Sequence, residues 1–248
     1  LEPTLTAAER ENYILGLLRS NKQCDLPCWW GIIPGSTSWA ETEKFILHLG
    51  AKTSVFPTSG EFIWHATGGF DLLDRGVHND VTFFESQGIV AAIEIHTGGE
   101  ANPKEFQADW GNFSPEQLIT VYGRPSRVWL QSYSSADGGT PTSVPYSLWI
   151  FYDKLGFLIR YSGAVRYKSI YRICPALNDE GGGVTIDLYL RSSSDPMPLE
   201  KLVELMGADR PYTLPLESAT TLTLDEFYNL FLQKDKIACI ETPRDIWP

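Results

Sequence analysis

Between Thr6 and Ser20 the apolar residues Tyr13, Ile14, Leu17 and Leu18 fall at the spacing of one helix face. Thr6 heads the segment and Glu9 follows three residues on, the pair that makes a capping box. A second helix is predicted after the turn Gly31-Ile32-Ile33-Pro34-Gly35-Ser36-Thr37. There Thr37 is the expected N-cap, Glu41 falls in the first turn, Phe45, Ile46 and Leu49 mark the inner face, and Gly50 marks the end. The period then drops from helical spacing to two. Strands are predicted over Glu61–Ala66, Asp80–Glu85 and Ile89–His96, the last two joined by the hairpin-length link Ser86-Gln87-Gly88.

The order then recurs. A short helix is predicted within Asn102–Trp110, starting at Pro103. A firmer one starts at Ser114 with Pro115 in its first turn, carries Leu118, Ile119 and Tyr122 inward, and stops at Gly123. Strands follow at Arg127–Tyr133, Tyr146–Tyr152 and Gly156–Tyr161, with a further one over Val165–Cys174. A looser third round holds a strand at Val184–Leu190, helices at Pro198–Met206 and Thr223–Gln233 (Thr223 as cap, Glu226 at N3), and a closing edge strand at Ile237–Ile240. We read an internal repeat: a capped helix ending in glycine, then antiparallel strands. Chance is the alternative, because a glycine stop is the commonest helix end. The expected fold is α+β, tandem repeats of helices packed on an antiparallel β-sheet. The expected divisions are 1–100 with the cysteine loop, 101–174, and a divergent 175–248 that closes the fold.

Composition narrows the classes of function. The 248 residues carry 20 Lys and Arg against 31 Asp and Glu, a net charge of −11. No basic stripe is present, which argues against nucleic acid. No apolar run approaches the ~20 residues of a membrane-spanning helix. The chain starts at Leu1 without Met, so export has to be argued from other features, and an anchor removed ahead of Leu1 stays open.

Those features are the cysteines: Cys24, Cys28, Cys174 and Cys239. An even count in a turn-rich chain suits two disulfides, and the preferred pairing is 24–28 with 174–239. Free buried thiols are one alternative. A zinc site is another, though it usually needs two close cysteine pairs and only one pair here is close. Ser20-Asn21-Lys22-Gln23 ahead of Cys24 is not a lipidation signal. Disulfides imply an exported protein, extracellular or in the cell envelope.

The search for catalytic chemistry is negative. The chain has no Gly-x-Ser-x-Gly elbow, no Walker loop and no Gly-x-Gly-x-x-Gly after a strand. We therefore expect no catalytic residue, no metal and no cofactor. Three weaker candidate sets are present. His65 and His96 with His78 form a conceivable three-histidine metal site, against separate strand histidines. Glu85 and Glu94 form a conceivable carboxylate pair for glycoside hydrolysis, against ordinary surface glutamates. Asn178-Asp179-Glu180 lacks the alternating ligands of a calcium loop. Asp137-Gly138-Gly139 and Gly181-Gly182-Gly183 read as hairpin loops.

The aromatic pattern carries the positive expectation. Arg127, Trp129, Gln131 and Tyr133 alternate with Val128 and Leu130. Trp149 and Phe151 alternate with Leu148, Ile150 and Tyr152. Strands apolar on both faces need two covers. Helices supply one, and a neighbouring repeat or a partner supplies the other. Arg127, Trp129, Tyr133, Trp149 and Phe151 are accordingly the candidate partner-binding residues, with Arg160 and Arg166 beside them. The expected function is a non-enzymatic exported or envelope protein that binds another protein or self-associates through this face. The alternative is a carbohydrate-binding or carbohydrate-active protein that stacks glycans on Trp and Tyr platforms.

Two short segments add a resemblance. Gly31–Thr37 with the helix ending Leu49-Gly50 resembles the start of the SmpA/OmlA-type outer-membrane assembly lipoproteins. Ser114–Pro125 is similar to the second of the tandem helix-and-sheet units in β-lactamase inhibitor protein. The matches are short, 20 residues from Gly31 to Gly50 and 12 from Ser114 to Pro125. Cys24-Asp25-Leu26-Pro27-Cys28-Trp29-Trp30-Gly31-Ile32 resembles an opening of uncharacterised bacterial envelope proteins. The resemblance implies an exported, non-enzymatic module, and the chain departs from the lipoproteins in lacking a lipidation cysteine at its start.

Overall fold

The computed structural model describes residues 5–57, 62–68, 79–97, 103–134, 142–177, 184–205, 212–233 and 236–248. The chain is α+β and divides into two compact units. The first comprises Leu1–Ala101, Asp153–Leu158 and Asp187–Met206; the second comprises Asn102–Tyr152, Ile159–Ile186 and Gly207–Pro248. In chain order the elements are α1 (Ala7–Ser20), α2 (Trp39–His48), β1 (Lys52–Pro57), β2 (Ile63–Gly68), β3 (Asn79–Ser86), β4 (Ile89–Thr97), α3 (Pro103–Trp110), α4 (Pro115–Tyr122) and β5 (Arg127–Gln131). They continue with β6 (Ser143–Tyr152), β7 (Phe157–Arg166), β8 (Ile170–Ile173), β9 (Thr185–Arg191), α5 (Leu199–Leu205), β10 (Thr213–Pro215), α6 (Leu216–Ala219), α7 (Leu224–Phe231) and β11 (Ile240–Pro243).

In the first unit the hydrogen-bonded strand order is β1-β2-β3-β4-β9. The β3–β4 turn is Gln87-Gly88, both with positive φ (54° and 80°), which matches the twist of the flanking strands. β9 adds antiparallel to β4 from Ala92↔Arg191 to His96↔Asp187. Val81, Phe83, Ile93, Ile95, Leu188 and Leu190 alternate inward and are buried. α2 lies against β1 and β4. The cysteine loop is organised by Asn21, whose buried side chain donates to the Cys24 and Cys28 carbonyls and accepts from the Trp30 N–H, each at 2.8 Å. Trp29 and Trp30 behind it are buried and stacked, with centroids 5.0 Å apart. The Cys-Trp-Trp motif thus serves the core.

In the second unit the strand order is β7-β6-β5-β10, and a separate ribbon pairs β8 with β11. The ribbon's register sets Ile173 opposite Ile240, so the next positions outward, Cys174 and Cys239, face each other. They are disulfide-bonded with Cα atoms 4.2 Å apart, and Cys24 is bonded to Cys28. Both pairs are those expected.

The structure departs from the sequence reading at several points. The N-cap of α2 is Ser38, not Thr37. The Thr37 hydroxyl instead accepts from the Ile33 N–H at 2.8 Å and closes the preceding turn. Phe45 is half-buried beneath the Lys22 ammonium, 4.0 Å from its ring centre, while Thr42 takes the inner position. The strand expected over Val165–Cys174 is split: β7 ends at Arg166, and β8 leaves to pair with β11. β1, β10 and α6 were not anticipated. Glu61 and the helix end Met206-Gly207 lie outside the described residues, as do His78, Asp137–Gly139 and Asn178–Gly183.

Three helices carry the same start. Glu9 is hydrogen-bonded by the Thr6 hydroxyl and backbone, Glu41 by the Ser38 hydroxyl and backbone, and Glu226 by the Thr223 backbone and hydroxyl. These bonds favour the carboxylate and hold all three pKa values below the ordinary glutamate value. A depressed folded pKa contributes stability above the unfolded value and loses it as pH falls through the folded one. Replacing Glu9, Glu41 and Glu226 together by Gln is therefore expected to flatten the acid-side loss of helical circular dichroism. Replacing Cys174 and Cys239 by Ser is expected to destabilise the protein by about 4 kcal/mol in urea unfolding, because the bridge closes a long loop.

Candidate functional site

The sheet of the second unit presents two faces of different chemistry. β5 pairs with β6 so that Arg127 lies opposite Phe151, Trp129 opposite Trp149 and Gln131 opposite Ser147. These six share one face. Val128, Leu130, Leu148 and Ile150 share the other and are buried. Tyr152, on that second face by alternation, donates its hydroxyl to the Gly123 carbonyl at 3.1 Å, at the end of α4. From β7, Tyr161 donates to the Phe113 carbonyl at 2.7 Å, just ahead of α4. Burial pushes both phenols well above their ordinary pKa, so they stay neutral donors. These hooks mark the helix-covered side.

On the opposite face the rings form a layer with guanidinium groups over it. Trp129 and Phe151 have centroids 4.9 Å apart. The Arg127 guanidinium lies 4.1 Å from the Phe151 ring centre and 5.0 Å from that of Trp129. The Arg160 guanidinium lies 4.9 Å from the Trp149 ring centre. Each contact of this kind is worth about 0.5–2 kcal/mol, most where water is excluded. Trp149 and Phe151 are fully buried, whereas Arg127, Trp129 and Tyr133 are half-buried.

Four of the five candidate residues therefore meet on two neighbouring rungs. Trp149 and Phe151 shape the face from below, and Arg127 and Trp129 form its outer layer. Tyr133 lies past the end of β5. Its carbonyl accepts from the Tyr171 hydroxyl at 2.8 Å, and its own hydroxyl accepts from the Gln131 amide at 3.4 Å. Arg160 belongs with the candidates. Its signal in the sequence is a lone cation inside the apolar run Phe157–Tyr161.

The other candidate sets are not assembled. His65 on β2 is buried, stacks on Trp39 with centroids 3.6 Å apart, and bonds Glu85 at 2.7 Å through Nε2. His96 on β4 contacts the buried Asp187 through Nδ1. β3 separates the two strands, and strand alternation turns the two imidazoles to opposite faces. Glu85 and Glu94 are likewise split: Glu85 turns to the His65 side, and Glu94 aligns with Thr82 and Tyr189 on the other. No cluster of three or more metal-ligating side chains occurs among the described residues. Among them, too, no helix is long and apolar enough to cross a membrane.

Compared with known proteins, the chain matches no family model, no curated protein and no solved structure.

Trp149 fills the centre of this layer without exposure, so Trp149→Ala is expected to destabilise the protein by about 3–5 kcal/mol, read by denaturant unfolding. Trp129→Ala is expected to cost clearly less and to leave the near-ultraviolet spectrum of a folded protein.

Proposed function

We propose that this is an exported or cell-envelope protein that works by binding another protein or a further copy of itself, and that the contact is the Arg127–Trp129 face of the second unit. The observation that carries this reading is the half-buried Trp129 beneath the Arg127 guanidinium, 5.0 Å from its ring centre, beside the fully buried Trp149 and Phe151. Aromatic rings lose little conformational freedom on binding, and together with arginine they dominate interface energies. Two disulfides support export. The resemblance to envelope assembly lipoproteins and to β-lactamase inhibitor protein points the same way.

The proposal includes a duplication of one helix-and-sheet unit. Phe56 lies six residues after the helix-ending Gly50, and Trp129 lies six residues after Gly123. Phe56 pairs across the strands with Trp64, and Trp129 pairs with Trp149. The helix before each hairpin has a serine N-cap, Ser38 and Ser114. For the stretch 175–248 no such hairpin follows α5 among the described residues, so the proposal is confined to two copies.

A photo-crosslinking amino acid at position 129, in the protein expressed with its native export, is expected to give a discrete protein adduct, either heteromeric or homodimeric. Arg127→Ala is expected to weaken the adduct without unfolding the protein. Folded protein that gives no adduct from position 129 overturns the reading.

A further inference from the structure

The second unit also contains a cleft that takes no part in the sheet face. Its volume is about 490 Å³, within the range of small-molecule sites. α3, α4 and the turn between them form one wall. The residues that follow β8 and the end of α7 form the other. The buried side chains of Leu177 and Phe231 make an apolar floor. Gln107 and Gln117 line one wall and Gln233 the other, and each amide can donate and accept.

The lining hydroxyls are engaged locally. Ser114 Oγ accepts from the Gln117 N–H at 3.3 Å, and Thr120 Oγ1 donates to the Glu116 carbonyl at 2.7 Å. The three amides are therefore the groups suited to recognition.

Charge and shape narrow the ligand. The lining holds one acid, Glu116, and one base, Lys236, so it favours neither anions nor cations. Three amides over a small apolar floor would be poorly matched by a purely apolar molecule. The lining comes from helices and loops, so no strand edge offers the regular N–H and C=O groups that an extended peptide needs.

Gly111 adds a second observation. Its backbone is not left-handed, and a Cβ built there would meet nothing within 4 Å. Neither conformation nor packing calls for glycine at this position, and the space beside it is open on the cleft it lines.

We propose that this cleft binds a neutral saccharide of one or two rings, with hydroxyls paired to Gln107, Gln117 and Gln233 and a C–H face resting on Leu177 and Phe231. The site is separate from the proposed protein contact and stands or falls without it.

The test is a titration of the full chain with glucose, N-acetylglucosamine, cellobiose and maltose, followed by side-chain amide resonances and calorimetry. At least one sugar is expected to shift the three glutamine amides. Gly111→Trp, which puts an indole into the open space beside Gly111, is expected to abolish binding. Gln117→Ala is expected to weaken it about fivefold, the worth of one hydrogen bond, and decides the matter if Gly111→Trp does not fold. The inference is overturned if no sugar moves those amides, if binding survives both substitutions, or if tri-alanine occupies the cleft while the sugars do not.

Discussion

The constraint on which the second unit depends is a central strand that is apolar on both sides. β6 buries Leu148 and Ile150 on one face and Trp149 and Phe151 on the other. A two-layer protein covers one face of a sheet with helices and leaves the other to water. Here Tyr152 and Tyr161 tie the helix side to the two ends of α4. The far side carries Arg127 and Arg160, whose guanidinium groups lie over the rings. Arginine suits this task because its guanidinium is planar and weakly hydrated on its faces, while its edge N–H groups stay polar. A lysine ammonium would cover less ring and demand more water.

The first unit reaches rigidity by a different route. Backbone bonds tie the loop before α2 to the β3–β4 hairpin: Gly35 N–H to Val90 O at 2.7 Å, Val90 N–H to Thr37 O at 2.9 Å, and Trp39 N–H to Gly88 O at 2.8 Å. Gly35 is required there, since its φ is +81° and a Cβ would fall 2.8 Å from that of Ser192. This latch fixes where α2 begins and so places Trp39 flat on His65, which Glu85 engages from the adjacent strand. A buried histidine thereby gains a carboxylate partner and an aromatic cover, which offsets the cost of taking it from water.

Most helix caps are legible in the sequence because they close locally, whereas contacts that depend on strand register are not. Thr6, Ser114 and Thr223 were legible as caps because a cap bonds within three residues of itself. Thr37 was misread because its hydroxyl serves the preceding turn, a choice that residue type does not reveal. The alternation of Trp129 against Val128 and Leu130 showed that β5 has two apolar faces. It did not show that Arg127 would stack on Phe151, which depends on the register of a partner strand 24 residues on. β1 escaped notice because Lys52–Pro57 is an exposed strand at the end of its unit's sheet order, with little buried alternation to betray it. The cysteine pairing was legible because two cysteines flank a tight loop and the other two end strand-like runs.

Under the proposed duplication, Phe56 and Trp64 would be the counterparts of Trp129 and Trp149. Two residues along each strand, Ser54 and Ala66 then occupy the rung that Arg127 and Phe151 hold in the second unit. That rung supplies no ring to extend the layer and no guanidinium to cover it. Phe56 is accordingly 52% exposed where Trp129 is half-buried, and Trp64 is half-buried where Trp149 is fully buried. A single rung, filled by an arginine and a phenylalanine or by a serine and an alanine, thus separates a sealed aromatic layer from an open one.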